Sequence, residues 1–174
     1  IQKALGSDIA MAFDECAPYP CEKDYAIQAM NRTHEWAKRS RDSADPDQAF
    51  FGIVQGSVYA DLRAQSAEFI ASLDTDGIAI GGVSVGEGKD LMMNAVEWSV
   101  PHLPESKARY LMGVGTPEDL LDAVMRGIDM FDCVLPTRLG RNGSLYTTYG
   151  RINIKNNRFI DDLSPVDPEC DCWA

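Results

Sequence analysis

Short apolar runs alternate along the chain with longer stretches in which apolar residues recur at helical spacing. The apolar runs predict five strands, at residues 9–13, 49–54, 77–80, 109–112 and 130–135. The amphipathic stretches predict four helices, at residues 22–41, 58–73, 90–102 and 116–126. Strands joined by helical crossovers of this length are typical of a parallel sheet that helices cover.

Two of the predicted helices carry more detailed expectations. The spacing in the first helix predicts an inner face of four residues: Tyr25, Ala29, Trp36 and Ala37. The last helix should begin with Thr116 as its N-cap, because Thr accepts from the first free amides and Pro117 suits the first helical position.

An open doubly wound sheet and a (β/α)8 TIM barrel both produce this alternation. Polar residues and glycines fall at or near the carboxyl ends of the predicted strands: Asp14, Gln55, Gly81, Gly82, Gly113 and Asp132. A barrel gathers those ends around one mouth, where barrel active sites lie. The pattern therefore favours an α/β fold in which residues 1–136 form part of a (β/α)8 barrel.

The pattern changes after residue 135. Residues 136–143 are polar, basic and glycine-containing, which predicts a loop, and residues 144–154 predict a β-hairpin that turns at Tyr149–Gly150. The tail is polar and carries the pair Cys170 and Cys172. We expect residues 137–174 to form a second domain.

Composition narrows the class of protein. The chain has 174 residues, 45% of them hydrophobic, which is enough for a globular core. The apolar runs are all shorter than the ~20 residues of a membrane helix. The formal net charge of −11 argues by itself against a nucleic-acid partner, because phosphate binding needs Lys and Arg.

The cysteines and the two ends of the chain predict the cellular compartment of the protein and whether the chain is a piece of a longer one. Five cysteines are an odd set, too sparse for a disulfide framework, and the first residues have no signal-peptide pattern, so we expect a reducing cytoplasm. The chain begins within a predicted helix and stops within a Cys-x-Cys motif. We therefore expect it to be a piece of a longer protein.

Two aspartates are the first candidates for chemistry. Asp14 follows one apolar run and Asp132 lies inside another, where a carboxylate is costly unless it is paired, hydrogen-bonded or functional. Each could simply cap a helix or accept from a backbone amide. Two carboxylates at one barrel mouth also suit displacement at the anomeric carbon of a sugar.

The other strand-end residues would complement guanine. Asp14 would accept from N1–H and the 2-amino group, while Gln55 and the Gly82 amide would donate to O6. The alternative for Gln55 and the glycines is a tight strand-to-helix turn. Arg138 and Arg141 could hold a phosphate or lie on a solvated loop, and two cysteines alone cannot complete a zinc site.

Five motifs carry a family resemblance. In order they are MAFDEC at 11–16, FGIVQGS at 51–57, GGVSVGE at 81–87, YLMGVG at 110–115 and GIDMFDCVLPTR at 127–138. Together they closely resemble bacterial tRNA-guanine transglycosylases. The resemblance implies a (β/α)8 barrel with an inserted zinc-binding subdomain, of which this chain would be the C-terminal part of the barrel and the start of the subdomain.

The resemblance implies a role for each motif. Asp132 would be the nucleophile that attacks C1′ of the ribose at wobble guanosine 34, forming a covalent intermediate from which guanine leaves and preQ1 enters. The base would be bound by Asp14, Cys16, Gln55, Gly81, Gly82, Val83, Val85, Met112 and Gly113. Residues that would contact tRNA are Gly113, Val114, Gly115, Thr116, Pro117, Glu118, Asp119, Thr137, Arg138, Leu139, Gly140 and Arg141.

The resemblance also implies partners. These are tRNAs for Asp, Asn, His and Tyr with GUN anticodons, a second copy in a homodimer, and structural Zn²⁺, for which Cys170 and Cys172 would be the first two ligands. Cys16 and Val85 look like the bacterial form, whose pocket takes preQ1, whereas Val83 stands where the family commonly has Leu. The family's general acid/base Asp would precede Ile1, so we expect the isolated segment to be inactive.

Two other functions fit part of the pattern. A retaining glycosidase would also use two carboxylates, but the site offers partners for a guanine edge rather than aromatic platforms for a sugar. An accessory transglycosylase subunit would bind tRNA without catalysis, and the presence of both Asp14 and Asp132 counts against it.

Overall fold

The computed structural model describes residues 1–171. Its contacts divide the chain into two compact units, Ile1–Asp132 and Cys133–Ala174. The division lies shortly before the predicted boundary between residues 136 and 137.

The first unit is built on a parallel sheet. Its strands are β1 (Ile9–Met11), β2 (Ala49–Val54), β3 (Gly77–Ile80), β4 (Ala108–Leu111) and β5 (Met130–Phe131). They are hydrogen-bonded in the order β1-β2-β3-β4-β5, and every pairing is parallel. The register pairs Phe51 with Gly77 and Tyr110 with Met130. This arrangement confirms the predicted α/β class and corresponds to part of a (β/α)8 barrel.

Helices follow the strands along the chain. Those of the first unit are α1 (Gln2–Leu5), α2 (Lys23–Asp42), α3 (Ala60–Ser72), α4 (Lys89–Ser99) and α5 (Pro117–Val124). A 3-10 turn at Val100–His102 extends α4. Among the described residues no helix is long and apolar enough to cross a membrane.

The core lies between the sheet and these helices. β2 and β3 are buried almost along their whole length, as strands of a helix-covered parallel sheet should be. Ile53, Ile78 and Leu111 are nearly inaccessible and pack with Ile70 of α3 and Val96 of α4.

The inner face of α2 differs from the predicted one. Its buried residues are Ala26, Ala29, Met30, Thr33, His34 and Ala37. Ala29 and Ala37 were predicted correctly, whereas Trp36 is half-buried and Tyr25 is exposed. Tyr25 lies on the edge of the helix because its hydroxyl donates to Glu15.

The start of α5 confirms the predicted cap. Thr116 Oγ1 accepts from the Asp119 amide at 3.3 Å, and the Asp119 carboxylate accepts from the Thr116 amide at 3.0 Å. This reciprocal capping box satisfies amides that have no partner inside the helix. Pro117 is the first helical residue, as predicted.

The second unit corrects two expectations. Residues 130–135 were predicted as a strand and residues 136–143 as a loop, but β5 ends at Phe131 and α6 spans Leu135–Arg141. Pro136 explains the difference, because proline cannot donate to a strand partner but fits the first turn of a helix. Arg138 and Arg141 lie in the last turn, where positive charge is favoured by the helix dipole.

The predicted hairpin is present, with its turn one residue earlier than the predicted Tyr149–Gly150. β6 (Ser144–Thr147) pairs antiparallel with β7 (Gly150–Asn153), and the turn lies at Thr148–Tyr149. Gly150, which follows the turn, has φ of 106°, a conformation that favours glycine. A 3-10 turn at Asn157–Phe159 follows the hairpin.

Candidate functional site

The predicted site residues of the first unit follow the carboxyl ends of its strands. Asp14 comes after β1, Gln55 after β2, Gly81 after β3 and Asp132 after β5. Because the strands are parallel, these ends share one edge of the sheet, where barrel enzymes place their active sites. Hydrogen bonds group the residues into two clusters, which are named below after the roles that the family resemblance implies.

The first group, the base cluster, joins Asp14, Gln55, Gly81 and Gly82. Gln55 Nε2 donates to Asp14 Oδ2 at 2.7 Å. Gln55 is buried, and its Oε1 has no hydrogen-bond partner among residues 1–171. An unpaired buried acceptor is costly, so Gln55 Oε1 is a candidate to accept a hydrogen bond from a ligand or a water molecule.

Gly82 is required by close approach to Gln55. Its φ is +64°, and a Cβ at this position would lie 2.2 Å from Gln55 Oε1. A larger residue would therefore displace the amide as well as strain the backbone. The glycine therefore lets the backbone lie directly against the Gln55 side chain.

Arg63 supports the base cluster and was not predicted. It lies on α3, is fully buried, and donates to the carbonyls of Ser57, Gly81 and Gly82 at 2.7, 2.7 and 2.9 Å. Burial lowers the pKa of its guanidinium to about 10, so it stays charged at neutral pH. Helical spacing could have revealed it, because Arg63 shares the buried face of α3 with Ser66 and Ile70.

Glu87 stabilises the loop that follows Gly81 and Gly82, and the sequence analysis did not predict this role. Its buried carboxylate accepts from the backbone amides of Ser84 and Val85. The side chain of Val83 is buried while that of Val85 is exposed. Of these two predicted residues, only Val85 has its side chain on the surface.

The second group, the nucleophile cluster, surrounds Asp132. Asp132 Oδ1 accepts from the Tyr110 hydroxyl at 2.6 Å and from the Gly113 amide at 2.8 Å. Burial of Tyr110 and its bond to the carboxylate both raise the pKa of the phenol, which therefore remains a donor. Tyr110 was not singled out in the sequence, because only the β4–β5 register brings it beside Asp132.

Met112 lies between the two clusters. Its sulfur is 3.6 Å from where a Cβ of Gly81 would be, and Gly113 follows it in the chain. In the described part of the chain no hydrogen bond joins the base cluster to the nucleophile cluster.

Cys16 lies exposed, two residues beyond Asp14. Desolvation of the sulfur and the nearby Asp14 carboxylate raise the pKa of this thiol, so it is protonated at neutral pH. Glu15 anchors the loop through Arg32, whose guanidinium lowers the pKa of the Glu15 carboxyl to about 2.

The predicted tRNA-contacting residues fall in two places. In the first unit Val114 is buried, while Thr116 and Asp119 form the cap of α5 and Pro117 and Glu118 are exposed. In the second unit Leu139 is buried on α6, and the exposed positions of that helix are Pro136, Thr137, Arg138, Gly140 and Arg141.

Residues 133–160 contain no Asp or Glu. They carry five basic residues, Arg138, Arg141, Arg151, Lys155 and Arg158, in a chain whose formal net charge is −11. This segment is therefore the basic part of an acidic protein.

The described residues do not by themselves fit a zinc ion. Cys170 is exposed, and Cys172 lies outside the described residues. Within residues 1–171 no three His, Cys, Asp or Glu side chains lie close enough together to hold a metal. The predicted zinc site stays a prediction.

Comparison with known proteins gives a consistent match. The family model described as queuine tRNA-ribosyltransferase matches residues 1–174. Queuine tRNA-ribosyltransferases of Pelotomaculum thermopropionicum and Bacillus subtilis are 57% and 56% identical over 100% of this chain, covering 47% and 46% of their own lengths. That of Zymomonas mobilis is 56% identical over 99% of this chain and 46% of its own length. The chain spans about half the length of these relatives.

Proposed function

The chain belongs to the queuine tRNA-ribosyltransferase family, and on that premise we propose that its protein is a tRNA-guanine transglycosylase, a pentosyltransferase of queuosine biosynthesis. It replaces the guanine at wobble position 34 of tRNAs with GUN anticodons, those for Asp, Asn, His and Tyr, by preQ1. The alternative of a tRNA-binding subunit without catalysis predicts that no covalent adduct forms.

The reaction is a double displacement. A carboxylate oxygen of Asp132 attacks C1′ of the ribose, the C1′–N9 bond breaks, and guanine leaves with the electron pair and gains a proton. The deprotonated N9 of preQ1 then attacks C1′, the ester bond breaks, and the Asp132 carboxylate is restored. One difficult substitution thereby becomes two easier ones.

The arrangement of Asp132 is the observation that carries the proposal. Tyr110 and Gly113 both donate to Oδ1, whereas Oδ2 has no hydrogen bond among the described residues. The first oxygen fixes the carboxylate, and the second remains available for attack. Such positioning contributes strongly to rate, because the reacting atoms are held in near-attack geometry.

The base cluster supports the choice of guanine. Asp14 offers carboxylate oxygens to N1–H and the 2-amino group, and Gln55 holds that carboxylate through one Nε2–H while a second remains for O6. The bacterial-type residues Cys16 and Val85 favour preQ1 as the incoming base.

The basic segment supports tRNA as the substrate. Arg138 and Arg141 are exposed on α6 and can contact phosphates as well as base edges. The acid-free stretch 133–160 gives this part of the chain a local positive charge despite the net charge of −11.

The test is base exchange by the full-length protein that carries this segment. We expect labelled guanine and preQ1 to enter tRNA with a GUN anticodon, and a denaturation-resistant tRNA adduct to form. Asp132→Asn should abolish both, because an amide is a poor nucleophile, while leaving tRNA binding in place. Exchange by Asp132→Asn at the normal rate would show that another residue is the nucleophile.

Three further assignments are proposed with the family. Cys170 and Cys172 are two ligands of a structural zinc ion, the protein is a homodimer, and it acts in the cytoplasm. Metal analysis of the full-length protein with and without Cys170→Ser tests the first, sedimentation velocity the second and cell fractionation the third.

A further inference from the structure

Arg63 is an unusual residue at the base cluster. It is fully buried, and within residues 1–171 it forms no ion pair with a carboxylate. Burying a cation in this way is costly unless its donors are well satisfied. Its Nε donates to the Ser57 carbonyl at 2.7 Å, Nη1 to the Gly81 carbonyl at 2.7 Å and Nη2 to the Gly82 carbonyl at 2.9 Å.

These contacts fix the orientation of two peptide groups. In a planar trans peptide the C=O and the following N–H point in opposite directions. The peptides that follow Gly81 and Gly82 are trans. Because both carbonyls point to Arg63, the N–H groups of Gly82 and Val83 point away from it. In the described part of the chain neither N–H has a recorded acceptor.

Gly82 is the point at which Arg63 and Gln55 approach the same backbone. A Cβ on Gly82 would come 2.2 Å from Gln55 Oε1 and 3.4 Å from Arg63 Nη2. The two N–H groups belong to this glycine and to the residue after it, and Gln55 in turn donates to Asp14.

We propose that Arg63 is a positioning residue for base recognition: by holding the carbonyls of Gly81 and Gly82, it turns the Gly82 and Val83 amides outward as donors to the oxygen of the bound base. Arg63 does not touch the base itself. This inference rests on the proposed function, because it assigns how that site recognises its base.

The test compares variants of the full-length protein in guanine exchange. Arg63→Met keeps much of the side-chain volume but no donors, and Arg63→Lys keeps the charge but cannot reach three carbonyls with a planar fork. We expect the KM for guanine to rise at least tenfold in Arg63→Met and less in Arg63→Lys. The KM for tRNA, and kcat per site titrated by the covalent tRNA adduct, should change less than twofold.

A merely structural role gives a different pattern. It would lower the fraction of titratable sites and leave the KM for guanine of the remaining sites unchanged, which would overturn the proposal. Arg109→Met is the matched control, because Arg109 also donates to backbone carbonyls, those of Leu103 and Gly127. It lies near the N-terminal end of β4, whereas the site residues follow the carboxyl ends of the strands. It should lower stability without altering the KM for guanine.

A measurement on the unmodified protein removes dependence on variant folding. Saturating guanine should slow hydrogen exchange of the Gly82 amide at least tenfold, and unchanged exchange would refute its role as a donor. If the unmodified protein exchanges no guanine, the proposed function fails and this inference fails with it. If it exchanges guanine and the Arg63 variants keep their KM, only this inference fails.

Discussion

The Asp14 side chain is fixed by one hydrogen bond and can still accept others from a bound base. Its Oδ2 accepts from Gln55, and the remaining lone pairs can accept from two donors of a base. Removing this carboxylate leaves ligand donors and the Gln55 amide without partners in a largely buried site. Loss of a charged buried partner of this kind typically costs several kcal/mol.

We therefore expect Asp14→Ala to weaken guanine binding by roughly 2–5 kcal/mol. Equilibrium binding of guanine to the full-length protein measures this directly. Asp24→Ala, at an exposed aspartate on α2, is the matched control and should leave the affinity unchanged. Unaltered guanine affinity in Asp14→Ala would exclude Asp14 from base recognition.

His34 is a buried titratable residue outside the two clusters. It stacks on Phe69 with ring centroids 4.0 Å apart, and its Nε2 lies 3.0 Å from Ser66 Oγ. Ser66 Oγ also accepts from the backbone N–H of Gln55, so Ser66 links His34 to a residue of the base cluster. Burial lowers the pKa of His34 from 6.5 to about 4.

This shift predicts a loss of stability in acid. The unfolded chain binds the proton of His34 more tightly than the folded one, so the contribution of His34 to the free energy of unfolding falls as pH decreases from about 6.5 to about 4 and is constant below. The full contribution is about 3 kcal/mol. Denaturant unfolding of the full-length protein across this pH range measures it. His34→Gln should flatten the profile. His102→Gln, at an exposed histidine that contacts Glu68, should not flatten it. Equal profiles for the unmodified protein and both variants would contradict the prediction.

At the scale of elements, α6 is the part of the basic segment most readily tested. Its last turn presents Arg138 and Arg141 to solvent. Each phosphate contact releases counterions, so tRNA affinity should depend on salt with a slope of roughly 0.7–0.9 per contact.

We expect Arg138→Gln and Arg141→Gln each to weaken tRNA binding and to reduce that salt slope by about one contact. Binding titrations between low and physiological salt measure both quantities. Arg39→Gln, at an exposed arginine of α2, controls for the loss of one positive charge. Slopes that match the unmodified protein in both α6 variants would show that this helix does not contact phosphates.

At the scale of the whole molecule, the sheet of the first unit has two open edges. β1 and β5 each pair on one side only within the described residues. Large apolar side chains are exposed near these edges, among them Phe13, Leu121, Val124 and Met125. A pocket of about 470 Å³ lies between Phe13 and the C-terminal part of α2, lined by Phe13, Trp36, Arg39, Ser40 and Ser43. Open edges and apolar patches of this kind promote association.

Residues 1–174 expressed alone should therefore form assemblies larger than a dimer and bind a hydrophobic dye, whereas the full-length protein should stay a dimer and bind no dye. Sedimentation velocity and dye fluorescence at matched concentrations distinguish the two. A monomeric segment that melts cooperatively without binding dye would contradict the expectation.

The sequence by itself determined the parallel sheet, the starts of its strands to within one residue and the cap of α5, because each depends on hydrophobic spacing or on neighbours within one turn. It placed the ends of β1 and β5 too late, at residues 13 and 135 instead of Met11 and Phe131. It also marked Asp14, Gln55, Gly82 and Asp132, since polar residues and glycines at strand ends stand out locally. It missed α6, where Gly140 and Asn142 indicated a loop although the helix ends only at Arg141.

Only the tertiary structure decided which atoms of those residues are held and which are free. Tyr110 meets Asp132 across 22 positions of sequence, and Gln55 meets Asp14 across 41. Arg63 reaches Gly81 and Gly82 from α3, the helix that precedes their strand in the chain. Such contacts depend on strand register and helix packing, which no local pattern encodes.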